Sequence, residues 1–293
     1  MAGRLGMAWR GLALVSPTAL YATLLLAVPL GTVVLVSFMT DGRTAGGLST
    51  VVAEFTVANY ITVWTDEIYR FLMLRSLGVS MAVTAITVAL AYPVAYYVSF
   101  HVAPSRKGLW LFLITIPFWT SYIVRVFLWK VILGFNGVVN SGLLSLGIID
   151  APLQAINYSV QAMVMTLAHA YAPFAILPIF VALEKIDRSL LEAGQDLGES
   201  RFMTFLRVTL PLSMPGVVAA VLIVFIPTVG DYVTPDLIGG GKLPMIANAI
   251  EVQMLKLNSK ALGSALAVSA MFIVAAVTIV FLLLNRRFLG GGR

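Results

Sequence analysis

The chain has 293 residues, 60% hydrophobic and only 11% charged, with a net charge of +6. Soluble proteins carry roughly a quarter charged residues, so this composition excludes a soluble fold and indicates a polytopic membrane protein. No cysteine is present, which excludes disulfides, cysteine-ligated zinc, iron–sulfur clusters and thiol nucleophiles.

A helix needs about 20 apolar residues to cross the hydrocarbon core. Six segments meet or approach that length: 12–39, 77–100, 109–133, 160–183, 212–229 and 262–284. The reading is an all-α membrane protein, a single six-helix transmembrane domain over 1–293. The first run follows Arg4 and Arg10. It is too long for a cleavable signal and lacks a small-residue cleavage site, so it reads as a retained span. A long connection follows, with Gly42–Gly47 marking a flexible corner.

The third span carries Arg125 and Lys130 in its outer half. As a straight helix it puts Arg125 about 24 Å above Leu109. Ionisable groups at membrane depth are functional candidates, but a snorkelling or paired cation near the outer interface is the favoured reading of both. Trp119, Tyr122 and Trp129 read as packing and interface aromatics, with Trp119 also a candidate pathway residue. In the fourth span, His169 has no acidic neighbour in sequence and reads as a neutral interhelical group. Pro173 and Pro178 loosen the same helix. The fifth span is short, and Pro215 and Pro227 predict irregular ends.

After the fifth span comes GDYVTPD. Asp231 and Asp236 either line a pathway mouth or form turns. Tyr232 either stacks on a cation or anchors at the interface. Gly239–Gly241 marks a second flexible corner.

Lysine and arginine set the orientation. Eleven lie in the N-terminal tail, the 106–107 loop, the 184–211 loop and the C-terminal tail; six lie in the opposite loops. The first set is therefore read as cytoplasmic, with both termini. His101 and His169 make no metal-ligand pair, and no basic–aromatic patch suggests nucleic acid.

The cytoplasmic loop 184–211 is polar. Ile186, Leu190, Ala193 and Leu197 are spaced for one helical face, with Glu192, Gln195, Asp196 and Glu199 on the rest. Ser189 with Glu192 fits a capping box, and Asp187 is a rival N-cap. Gly198 fits a C-terminal cap. Ser200 caps a second helix, Arg201 to Thr209, and Pro211 suits the first turn of the next span. Such a helix either closes a hairpin in water or docks in a partner's groove and passes rigid-body motion to its spans.

Glu192-Ala193-Gly194, three residues, Gly198, nine residues and Val208-x-Leu210-Pro211 resemble the EAA loop of ABC-importer permeases. That pattern is Glu-Ala-Ala, three residues, Gly, nine residues, Ile-x-Leu-Pro. Gly194 stands for the second Ala and Val208 for Ile. FTVANY at Phe55–Tyr60, AYPVAYY at Ala91–Tyr97, the run Pro117–Ser141, Ala172–Asp187 and IPTVGDYVTPDLIGG at Ile226–Gly240 are similar to spermidine/putrescine permeases.

The resemblance implies a type I ABC importer permease (MetI-like) architecture in a bacterial inner membrane. It implies half of a translocation pathway, completed by a second permease subunit, two ATPase subunits and an extracytoplasmic substrate-binding protein. Docking to an ATPase would run through 186–200, with Leu190, Glu192, Ala193, Gly194, Asp196, Leu197, Gly198, Leu210 and Pro211 as the coupling set. Trp119, Arg125, Asp231, Tyr232 and Asp236 are the pathway candidates. Polyamine is the implied substrate; other small cations, amino-acid derivatives, opines and organophosphonates stay open.

The chain itself is read as a non-enzymatic subunit without a cofactor or metal. GGGKLP at Gly239–Pro244 lacks the spacing and hydroxyl of a phosphate-binding loop, so ATP and magnesium would belong to the partner. A self-sufficient secondary transporter or channel is the alternative, against which stands the lack of an inverted repeat. An intramembrane serine protease fails: Gly198-Glu199-Ser200 has no following glycine or later histidine.

Overall fold

Long runs free of charge form the long helices, because a buried or lipid-facing backbone must satisfy its own hydrogen bonds. The computed structural model describes residues 2–43, 49–153 and 158–289. Among these, five helices are long and apolar enough to cross a membrane, or six when one sharply bent pair counts as a single span. The contacts divide the chain into two units, Met1–Arg70 with Ala249–Met271 and Phe71–Asn248 with Phe272–Arg293.

The first unit starts with α1 (Ala2–Ser37). Its most apolar stretch buries no residue against the rest of the chain. Next comes a small antiparallel hairpin, β1 (Thr40–Arg43) and β2 (Ser49–Val52), with Thr40 opposite Val52. It is the only strand pairing among the described residues and an addition to the expected all-α fold. Residues 44–48 of the expected glycine corner lie outside the described residues.

The FTVANY segment leads into α2 (Ala58–Thr65). Asn59 Nδ2 donates to the carbonyls of Ser37 at 3.0 Å and Met39 at 2.8 Å, satisfying acceptors that the end of α1 leaves open. The Tyr60 hydroxyl lies 2.6 Å from Ser37 Oγ. Asp41 accepts from Ser259 Oγ at 2.6 Å and from the Ala261 amide at 3.0 Å, which caps the start of α13 (Lys260–Leu284).

The second unit holds most of α3 (Glu67–Phe100), which begins at Glu67 rather than at the expected Leu77. The third apolar run is not one straight helix. It forms α4 (Pro104–Thr115), a 3₁₀ turn at Ile116–Trp119, and α5 (Tyr122–Ile132), bent by 85°. Pro117 supplies no amide to the ladder, and Thr120 and Ser121 run extended. Because of this break, the roughly 24 Å rise expected for a straight helix from Leu109 to Arg125 does not hold. A short α6 (Val138–Ser145) follows.

α7 (Val160–Glu184) and α10 (Leu210–Val229) form the most extensively packed helix pair. Gly216 makes their approach possible: a Cβ there would fall 2.5 Å from Ala182 Cβ and from the Pro178 carbonyl oxygen. Val83, Val126, Met163, Leu167, Ile179, Leu183 and Val224 are buried around this pair.

Candidate functional site

The loop between α7 and α10 is the most polar part of the described chain. It contains α8 (Arg188–Asp196) and α9 (Arg201–Thr204). Asp187, not a Ser189–Glu192 box, caps α8: its side chain accepts from the Ser189 amide at 3.0 Å. That bond holds the Asp187 carboxyl below its usual range.

The other end of α8 is a Schellman motif. The Glu199 amide donates to the Gly194 carbonyl at 3.1 Å and the Gly198 amide to that of Gln195 at 2.9 Å. Gly198 has φ +86°, a conformation that a side chain with Cβ disfavours. Ser200 then caps α9 by accepting from the Met203 amide.

The two helices meet where Gly194 abuts Thr204. A Cβ on Gly194 would lie 3.2 Å from Thr204 Cγ2, so only a very small residue fits without adjustment. From Arg201 the helix continues without a break to Val229; no separate second helix ends at Thr209. It widens into a π-helical turn at Phe205–Thr209, just before Pro211. A proline ring would clash with the carbonyl four residues back, and the wider turn relieves that clash.

The expected face of Ile186, Leu190, Ala193 and Leu197 divides. Ile186 precedes α8 and is buried in the core. Leu190 and Leu197 are 47% and 86% exposed, and Ala193 is exposed beside them. Glu192 and Asp196 are exposed too, whereas Leu191 packs toward the core. Leu210 and Pro211 are half-buried at the start of α10. Phe202, 68% exposed on α9, extends the uncovered apolar surface. It was not among the expected coupling residues, although its position two residues after the Ser200 cap made an outward aromatic a legible possibility.

Polar contacts also missed by sequence reading fix the base of this loop. Glu184 accepts from Ser99 Oγ and from Lys107 Nζ, both at 2.6 Å. Arg188 donates to the Ser99 carbonyl at 3.2 Å. The ends of α3 and α7 and the starts of α4 and α8 are thereby tied together. An exposed ion pair adds little by itself, but this one shares its carboxylate with a buried serine.

A second polar cluster forms where α5 meets α11 (Val233–Leu237). The Tyr122 hydroxyl lies 2.8 Å from Thr234 Oγ1. Asp231 is 6% exposed; its Oδ1 accepts from the Val233 amide at 3.1 Å, and its Oδ2 has no partner. Burial holds this carboxyl above the usual carboxylate range, offset in part by the Thr234 and Tyr122 hydroxyls and the Val233 amide.

Arg125, 8% exposed, donates to the Pro117 carbonyl at 3.3 Å and sits 5.2 Å from the centre of the Phe118 ring. It therefore braces the break between α4 and α5. The remaining pathway candidates are Trp119, Tyr232 and Asp236. Trp119 is 79% and Tyr232 49% exposed. Asp236 accepts from Asn248 Nδ2, which also holds the Tyr232 carbonyl. Lys130 is exposed, and His169 Nδ1 accepts from Trp129 Nε1 at 3.1 Å. No cluster of metal-ligating side chains occurs among the described residues.

The described chain is thus a multi-helix membrane protein that presents a capped helix pair with uncovered apolar side chains in a polar loop. Residues 55–290 match the family of binding-protein-dependent transport system inner membrane components, and the chain belongs to that family. It is 36% identical over 236 residues to the spermidine/putrescine transport system permease protein PotB of Haemophilus influenzae, covering 79% of this chain and 82% of that protein. Identity to PotB of Escherichia coli strain K12 is 35% over 227 residues, covering 78% of this chain and 82% of that protein.

The fold is similar to that of a bacterial alginate ABC transporter solved with an alginate pentasaccharide-bound periplasmic protein. The TM-score is 0.73 at 15% identity, covering 100% of this chain and 99% of that one. The chain is a multi-pass membrane protein and a permease subunit of an ABC importer.

Proposed function

We propose that this subunit passes polyamines, spermidine or putrescine, across a bacterial inner membrane, driven by ATP hydrolysis on separate subunits. The substrate reading rests on the identity to two spermidine/putrescine permeases over more than three quarters of the chain. In this reading the 184–211 loop faces the cytoplasm, where the excess of lysine and arginine places it. A second permease completes the pathway, two ATPases bind below it, and an extracytoplasmic binding protein delivers the substrate.

One observation carries the coupling role: a helix capped at both ends presents Leu190 and Leu197 outward, where this chain covers neither. An apolar face on an otherwise polar helix is stable when a partner groove buries it. The Glu184–Lys107–Ser99 ties then carry a push on α8 into α3, α4 and α7 together. ATP and magnesium act on the partner.

The test is purification of the assembled complex from the native membrane, with ATPase activity measured with and without the binding protein and spermidine or putrescine. Stimulation by either polyamine supports the whole reading. Hydrolysis that ignores polyamines but answers another solute keeps the importer and removes the substrate. A stable complex without an ATPase removes the coupling role.

A further inference from the structure

A groove of about 800 Å³ lies where the end of α7, the start of α10 and the short α14 (Arg286–Leu289) come together. Its walls are largely apolar, including Val181, Leu212, Pro215 and Ala219. Lys185 and Arg287 also line it, and no carboxylate does. The ion pairs among the described residues engage Lys107, Arg207 and Lys256, and neither groove cation is among them. The Arg287 guanidinium sits 4.5 Å from the centre of the Phe288 ring, itself a wall of the groove.

The depth of these groups matters. Lys185 directly follows the last residue of α7, and Arg287 lies just past the end of α13. Both helices are long and apolar enough to span. The two cations therefore sit at the membrane–water boundary, while Val181 on α7 and Ala219 on α10 lie deeper along their helices. A groove with a net charge of +2 at its mouth and hydrocarbon below it complements a molecule with a phosphate above and an acyl chain beneath.

We infer that this groove binds an anionic phospholipid, its phosphate between Lys185 and Arg287 and one acyl chain along α7 and α10. A lipid fits better than a soluble anion because the apolar wall continues into the span. Pro211, part of the coupling-loop motif, also lines the groove. A bound lipid would thus brace the base of the helix that leaves the loop. This site depends on the chain being a membrane protein and not on which solute it carries.

The test is native mass spectrometry of the importer complex, extracted from nanodiscs of mixed phosphatidylcholine and phosphatidylglycerol. Wild type should retain phosphatidylglycerol in preference to phosphatidylcholine. The Lys185→Gln/Arg287→Gln double variant should lose that retention roughly tenfold, since each interfacial cation contributes on the order of a several-fold preference. Arg106→Gln removes an exposed cation outside the groove and should leave retention unchanged. Ala219→Trp keeps both cations but fills the apolar wall, and should also lose the lipid.

Equal retention of both lipids in wild type, or unchanged retention in the double variant, would overturn the site. Retention by Ala219→Trp would overturn the acyl-chain part. Cross-linking of Leu212→Cys to another subunit, with no lipid retained, would show the groove to be a protein interface instead.

Discussion

The α7–α10 loop and the α5–α11 cluster treat their odd residues in opposite ways. The loop is polar, yet turns Leu190, Leu197 and Phe202 outward. The cluster lies among apolar helices, yet encloses Asp231, Arg125 and Thr234. Each arrangement carries a free-energy cost that something else must offset. For an enclosed polar group the offset is internal hydrogen bonding; Arg125 finds part of it in the Pro117 carbonyl, while its Nε and Asp231 Oδ2 stay without a partner. For exposed apolar side chains on a rigid capped helix, the proposed offset is a partner's groove.

Gly198→Val should give the largest effect. Forcing a β-branched residue to φ +86° costs about 1–3 kcal/mol locally. It displaces the end of α8 while leaving the spans alone. Uptake should fall at least tenfold while membrane abundance and ATPase turnover remain, measured as substrate accumulated per ATP hydrolysed. Normal uptake by this variant would leave the loop with only a connecting role.

Arg125→Gln should show the reverse pattern. It removes the brace on the α4–α5 break, and losing a hydrogen bond made by a charged group costs about 1.5–3 kcal/mol. The melting temperature of the detergent-solubilised subunit should drop, while the ratio of uptake to hydrolysis in surviving protein stays at its wild-type value. A changed ratio at unchanged melting temperature would move Arg125 from the brace to the pathway.

Asp231→Asn should be the mildest. The folded carboxyl titrates above its unfolded value because of burial. Its contribution to stability is thus fully present below the ordinary carboxylate range and lost as pH rises through the folded value. The wild-type melting temperature should therefore gain a component on acidification that the Asn variant lacks. Identical pH profiles for the two would mean that Asp231 is solvated in the assembled protein.

The sequence made some of this architecture legible and hid the rest for physical reasons. Hydropathy located the apolar runs, because lipid-facing helices are uniformly greasy. It could not reveal the 85° bend at Pro117–Ser121, since a broken span and a straight one have the same composition. The Gly198 cap was readable because a left-handed turn selects glycine from local geometry alone. The Asp187 cap was one of two local options, and only the backbone decided between them. The outward turn of Leu197 and the burial of Ile186 depend on how the loop packs on the helix ends, which periodicity does not encode. The Glu184–Lys107–Ser99 network joins residues up to 85 positions apart and left no local signal.

In the proposed coupling role, the exposed face of α8 lies in a groove of the ATPase. A single-cysteine variant, Leu197→Cys, tests it most directly, since the chain has no other cysteine. The assembled importer would be treated with a short bifunctional cross-linker, with Lys130→Cys on α5 as the distant control. A cross-linked product containing the ATPase from position 197 alone, altered in yield by ATP, is the expected result. A stable complex in which Leu197→Cys reacts freely with a water-soluble maleimide and never cross-links to the ATPase would contradict it.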